Sequence, residues 1–206
     1  MKIIKLFGLS SFAANCYAVA SEEKNVALID APCNAEKILS ELEARGLTLK
    51  KILLTHGHFD HIMAVGELVR KTNAEVYIHS SDRDKLRSPT LSVAEYFGIC
   101  GFEPFYGENT IEDNDKNTLD ELTFDVIHTP GHTSGGVCYK IGNVIFTGDT
   151  LFQMSVGRCD MPDGDWQALN DSLKKLAEIT ENYTLYPGHG ESTELDFERT
   201  YNPYMR

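Results

Sequence analysis

Positive charge is scarce in this chain: 19 lysines and arginines stand against 31 aspartates and glutamates, for a formal net charge of −12 over 206 residues. That balance excludes the basic footprint that nucleic acid demands. Long apolar runs are missing too, and no segment approaches the roughly 20 residues that a helix needs to cross a bilayer. Internal repeats and linker-like stretches are absent, so residues 1–206 are expected to form one domain. Cys16, Cys33, Cys100, Cys138 and Cys159 form an odd set without ligand-like spacing, which fits reduced thiols and not a disulfide framework. Residues 1–7 have a weak likeness to a secretory leader. Gly8, Ser10, Ser11 and Asn15 interrupt it early, and a cytoplasmic placement with no membrane association is expected.

What the chain has is a dense run of histidine. Three of its seven histidines and a carboxylate fall within Thr55-His56-Gly57-His58-Phe59-Asp60-His61, directly after the apolar run Ile52-Leu53-Leu54. Any one of these histidines reads as an ordinary core or surface residue. Together the donors read as a metal site, because imidazole nitrogen and carboxylate oxygen suit zinc, iron or manganese. The same arrangement recurs: Phe124-Asp125-Val126-Ile127 leads to Pro130-Gly131-His132, Val144-Ile145-Phe146 to Gly148-Asp149, and Tyr183-Thr184-Leu185-Tyr186 to Pro187-Gly188-His189. Glycine and proline beside each donor fit sharp bends at strand ends, where distant side chains converge. A closed structural zinc would instead be cysteine-rich.

The coarse pattern predicts strands over 16–20 and 26–29 joined by a turn at 21–25. It predicts helices over 35–44, over 165–179 with Trp166, Leu169, Leu173 and Leu176 on one face, and after His61 with Ile62, Val65, Leu68 and Val69 aligned and Asp60 as a cap. The aromatic stretch 96–106 is expected to pack in the core in preference to walling a groove, and the acidic stretch 112–117 to be a solvated turn. His79 is read as a supporting or structural residue and His128 as a strand-end residue, neither as a ligand.

His-x-His-x-Asp-His followed in order by His132, Asp149 and His189 resembles the signature of the metallo-β-lactamase superfamily, over about residues 2–189. The resemblance implies an α/β fold, an αβ/βα four-layer sandwich of two mixed β-sheets with helices on the outer faces and the metals at one edge. It implies that His56, His58 and His132 hold one metal, that Asp60, His61 and His189 hold a second, and that Asp149 bridges them. Zinc is expected, with iron or manganese as alternatives. In such a centre a hydroxide shared by two cations about 3.5–4 Å apart is available near pH 7 while the metals polarise the carbonyl under attack. Asp60 and Asp149 are the carboxylates expected to serve catalysis. Two divalent cations against these carboxylates and a hydroxide leave roughly one local positive charge, which offsets the overall acidity.

The run from Phe146 to Phe152, followed by Val156-Gly157-Arg158, is similar to glyoxalase II and its short single-domain relatives, which hydrolyse thioesters. This implies a small-molecule substrate, S-(2-hydroxyacyl)glutathione, typically S-D-lactoylglutathione. Arg158 matches a basic glutathione-binding residue of the long form and would grip a carboxylate. A thiol of pKa near 8.5 departs without a strong acid. The residues after His189 are expected to hold neither the C-terminal helical domain of the long enzymes nor their tyrosine, since His189 leads to Gly190-Glu191-Ser192. Two alternatives stay open: a mononuclear-iron persulfide dioxygenase, which would use His56, His132 and Asp149, and a metallo-hydrolase of another ester or thioester. Cys159 is expected near the metals as a bystander, with its thiolate favoured by Arg158. No oligomeric state follows from the pattern.

Overall fold

Along the strand Cys16–Ala20 (β2), Cys16, Ala18 and Ala20 enter one apolar cluster while Tyr17 and Val19 enter another, because successive side chains leave opposite faces of a sheet. Both faces are covered, which is why such strands read as unbroken apolar runs. The molecule is represented by a computed structural model that describes residues 1–6 and 14–205; the interrupting Gly8, Ser10 and Ser11 lie outside the described residues.

One mixed sheet runs in the order Lys2–Leu6 (β1), β2, Asn25–Ile29 (β3), Thr48–Leu53 (β4), Glu75–His79 (β5) and Glu108–Ile111 (β6). Its pairs are antiparallel from β1 to β3 and parallel from β3 to β6. The second runs Thr193–Glu194 (β14), Thr184–Pro187 (β13), Val144–Gly148 (β10), Val137–Ile141 (β9), Leu122–His128 (β8) and Lys116–Leu119 (β7), with β10 and β13 parallel and the other neighbours antiparallel. A ribbon of Leu151–Phe152 (β11) and Ser155–Val156 (β12) follows β10.

The inner faces meet through Tyr17, Val19, Ile29 and Leu53 on one side and Phe124, Val126, Tyr139 and Phe146 on the other. Helices Ala35–Glu43 (α1) and Val65–Thr72 (α3) cover the first sheet through Ile38, Leu42 and Leu68. Trp166–Ala177 (α4) and Leu195–Tyr201 (α5) cover the second through Leu169, Leu173, Leu176 and Leu195. Each leucine so buried contributes about 1.5–3 kcal/mol of apolar transfer. These are the expected two mixed sheets with helices on the outer faces, and no described helix is long and apolar enough to cross a membrane.

Four local expectations are corrected. The helix after His61 is split into Phe59–Ile62 (α2) and α3, and His58, not Asp60, precedes it; the Asp60 carboxylate is drawn instead to His189, 3.1 Å away. Trp166 is half exposed and edge-on to Tyr204 at 5.9 Å, because Asp165 caps α4 through the Ala168 N–H and the packed stripe starts only at Leu169. In 96–106, Tyr96, Phe97 and Tyr106 are exposed, and only Phe102 and Phe105 reach the core, since turns at Gly98 and Gly101, both at positive φ, deny the stretch a packed face. Of the acidic stretch 112–117 only 112–115 is a solvated turn, because Lys116 and Asn117 belong to β7 and Asn117 is buried; Asp113 anchors the turn by accepting from the His128 N–H at 2.7 Å and from Lys175 at 2.8 Å.

Candidate metal centre

Every donor sits in the segment that leaves a strand, Asp60 and His61 within the short helix α2. The β4 exit supplies His56, His58, Asp60 and His61; β8 leads to His132, β10 to Asp149 and β13 to His189. The β10–β13 register shifts between Phe146 and Gly148, a bulge of the kind that re-aims the next side chain. A Cβ at Gly188 would stand 2.8 Å from His61 Cε1, so glycine there lets the last loop close over the site.

All seven residues named from the sequence converge. His56, His58 and His132 form one group with ligand atoms within 4.8 Å of one another, and so do Asp60, His61 and His189. Asp149 falls between them: its Oδ2 lies 3.5 Å from His132 Nε2 and 3.5 Å from His189 Nε2. His56 also groups with His61 and Asp149, the first two rings being 4.1 Å apart, so the halves adjoin. The three rings of the first half stand nearly perpendicular, at 82°, 79° and 86°.

Neighbouring groups decide which ring nitrogen is bare. His132 Nδ1 lies 2.7 Å from the Arg158 carbonyl, which can only accept, so Nδ1 carries the proton and Nε2 faces inward. His61 Nδ1 donates likewise to Asp30 Oδ2 at 2.8 Å. Thr55 Oγ1 gives its one proton to Asp30 Oδ2, so at 3.2 Å it accepts from His56 Nδ1. Asp30 itself is buried, at a left-handed φ of 58°, and also takes the Thr55 N–H at 2.8 Å. Asn15 holds the His189 loop by donating to the Pro187 and Gly190 carbonyls at 2.9 and 3.0 Å.

Charge follows this geometry. Burial, then the charge of His132, pushes His58 down to about 4, and burial, then His61 and His58, holds His56 well below its ordinary value too. Burial would raise Asp149, but His61, His132 and His189 outweigh it and hold the carboxylate far below its ordinary range. Burial would lower His61, but Asp30, Asp149 and Asp60 raise it. His56 Nε2, His58 Nε2, His61 Nε2 and Asp149 Oδ1 are buried without a hydrogen-bond partner among the described residues; the 3.4 Å approach of the last two does not meet hydrogen-bond geometry. Orphaned buried ligand atoms facing ionised carboxylates are what a cation site requires, so these residues fit divalent metals.

Above the donors opens a cavity of about 420 Å³, walled by Phe59, Val93, Phe97, Phe152, Val156 and Met161 and bordered by Arg158. The groove role of Phe97 therefore displaces its expected place in the core. The Arg158 guanidinium is held by Asp160 through two bonds, of 2.6 and 2.7 Å, so its charge is largely offset. Cys159 does not line the cavity, and burial, then Asp165 and Asp160, raises its thiol pKa, against the expected thiolate. His79 and His128 stack on each other at 4.0 Å, outside every donor group.

Asp30, Asp82 and Asn15 escaped the sequence reading. Asp30 had a signal, since it follows Val26–Ala27–Leu28–Ile29 just as His56 follows its own apolar run; Asn15 and Asp82 had none locally.

The model of the family described as the metallo-beta-lactamase superfamily matches residues 10–189. The chain belongs to that superfamily. It is 34% identical over 207 residues to hydroxyacylglutathione hydrolase GloC of Haemophilus influenzae, covering 98% of this chain and 97% of that one. Among solved structures it is similar to BLEG-1 B3 metallo-beta-lactamase (TM-score 0.90, 31% identity, 99% of each chain). It is also similar to TTHA1623 in a di-iron-bound form (TM-score 0.86, 35% identity, 99% of this chain and 100% of that one). Superfamily membership and the histidine-rich site make this a metallo-hydrolase scaffold for divalent metals.

Proposed function

We propose that the chain is a binuclear metal-dependent hydrolase of thioesters, acting on S-(2-hydroxyacyl)glutathione. The observation that carries the reading is the set of buried, unpartnered ligand atoms beside a cavity of substrate size, whose lining includes five of the seven donors, His58, Asp60, His132, Asp149 and His189. The likeness to a relative named hydroxyacylglutathione hydrolase supports the substrate. His56, His58 and His132 would hold one ion, Asp60, His61 and His189 the other, and Asp149 would bridge them; zinc is expected, and the di-iron neighbour keeps iron in view. When bound, such ions lower the pKa of water and polarise a carbonyl.

The chain's own residues do the rest. Asp30 and the Arg158 carbonyl hold Nδ1 of His61 and of His132, so each ring turns its Nε2 toward the centre. Phe59, Phe97, Phe152 and Met161 shield the reacting carbonyl from bulk water and hold the acyl group. Arg158 would meet a substrate carboxylate in competition with Asp160. The thiolate leaves unaided.

Metal content measured alongside hydrolysis of S-D-lactoylglutathione and several non-glutathione thioesters tests this. Two ions per chain with fastest turnover of the glutathione ester is the expected result. A protein that holds one iron, consumes oxygen with glutathione persulfide and leaves thioesters intact would overturn it.

A further inference from the structure

We propose that Asp82 positions the three-histidine half of the centre, acting on the backbone that carries His56, His58 and His132 and on none of their rings. Asp82 belongs to the 3₁₀ segment Ser80–Leu86 and its side chain is fully buried. A buried carboxylate is costly unless every lone pair is met, and here each is. It accepts the Gly57 N–H, the Thr133 hydroxyl and the Gly135 N–H, all at 2.8 Å, and faces Lys85 Nζ at 3.1 Å. Gly57 stands between His56 and His58, and Thr133 follows His132. One carboxylate therefore ties together the two loops that bear the three imidazoles, loops far apart in sequence and sharing no strand pair at that point.

Lys85 extends the brace. Its Nζ donates to Asp163 at 2.6 Å, and Asp163 accepts the Ser134 N–H and hydroxyl at 3.0 and 3.2 Å, enclosing the His132 loop from its far side. The loops lie flush on this segment: a Cβ at Gly57 would meet Lys85 Cβ at 2.5 Å, and one at Gly135 would meet the Asp82 backbone nitrogen at 2.6 Å. Charge-assisted bonds to backbone amides are short and strong, and groups that orient metal ligands in this way typically set affinity 10–100-fold. The inference rests on reading the seven donors as metal ligands and not on the identity of the substrate.

The test is a zinc competition titration of the full chain and of Asp82→Asn, with thermal unfolding of the metal-free proteins and turnover at excess zinc read in parallel. In Asp82→Asn one of the two binding steps should weaken about 10–100-fold, the other should hold, and excess zinc should restore turnover. Lys85→Met, which leaves Asp82 its three other donors, should weaken the same step by less, and it carries the test if Asp82→Asn does not fold. Equal weakening of both steps, or a lower unfolding temperature with both steps at the wild-type value, would overturn the proposal. Wild-type protein that binds two zinc ions but hydrolyses no thioester would sink the substrate reading alone; fewer than two ions would sink both.

Discussion

The two halves of the centre are built from similar donors yet held in different ways. His56, His58 and His132 are buried, at 2%, 4% and 6% exposure, and their loops share the brace of Asp82, Lys85 and Asp163. In the other half His61 is fully buried against Asp30, but the side chains of Asp60 and His189 are 19% and 40% exposed. His189 is fixed chiefly through its backbone, by Asn15 and by the Tyr17 hydroxyl on the Pro187 carbonyl at 2.8 Å. Burial strengthens electrostatic attachment and excludes competing water, so the first half should retain its ion more firmly than the second.

The sharpest way to erase the difference is Asp149→Ala, which removes the one group shared by both halves. It should disturb both ions and cost turnover on the order of 10³-fold, measured as kcat with metal content alongside. Next in size, His61→Ala should lose the second ion alone, and stepwise chelation of the wild type should strip that ion first. Simultaneous loss of both ions on chelation would show that the halves are not separately held. Asp30→Asn should weaken the second half about 10–100-fold through His61 and the first half by less, since there Asp30 acts only through Thr55 on His56; a first step weakened as much as the second would break the comparison.

Smaller effects concern the rim. Arg158 and Asp160 form an exposed pair, a class worth about 0.2–1 kcal/mol, so Arg158→Ala should raise KM for anionic thioesters only a few-fold. Asp160→Asn, by freeing the guanidinium, should lower that KM, while neutral thioesters change little in either variant. Smallest of all, His79→Ala should leave both ions in place, as its ring touches His128, Glu112 and the Ser81 N–H and belongs to no donor group; a lost ion would reopen the ligand assignment.

Much of the fold was legible because both sheets bury both faces, so strands such as Cys16–Ala20 and Val144–Gly148 are buried end to end and carry unbroken apolar runs, Cys16–Ala20 in the first and Val144–Phe146 in the second. The 166–177 helix was legible from its leucine spacing, yet the exposure of Trp166 was not, since periodicity states which residues align and not where the partner sheet begins. The aromatic stretch 96–106 was misjudged for a related reason: composition favoured burial, and the turns that set Phe97 over the cavity carry no periodic signal.

The sequence by itself determined the chemistry of the centre, because donor type and strand-exit punctuation are local properties: seven donors, in order, each just past an apolar run. Only the tertiary structure decided how those donors are oriented and braced. Asp30 reaches His61 across 31 residues, and Thr133 reaches Asp82 across 51. Arg158 was taken from the sequence for its charge, and in the structure it is the carbonyl of that residue that orients His132 while the charge goes to Asp160. Hydrogen bonds between buried groups depend on where loops meet in space, and nothing in the local pattern of the chain encodes that meeting.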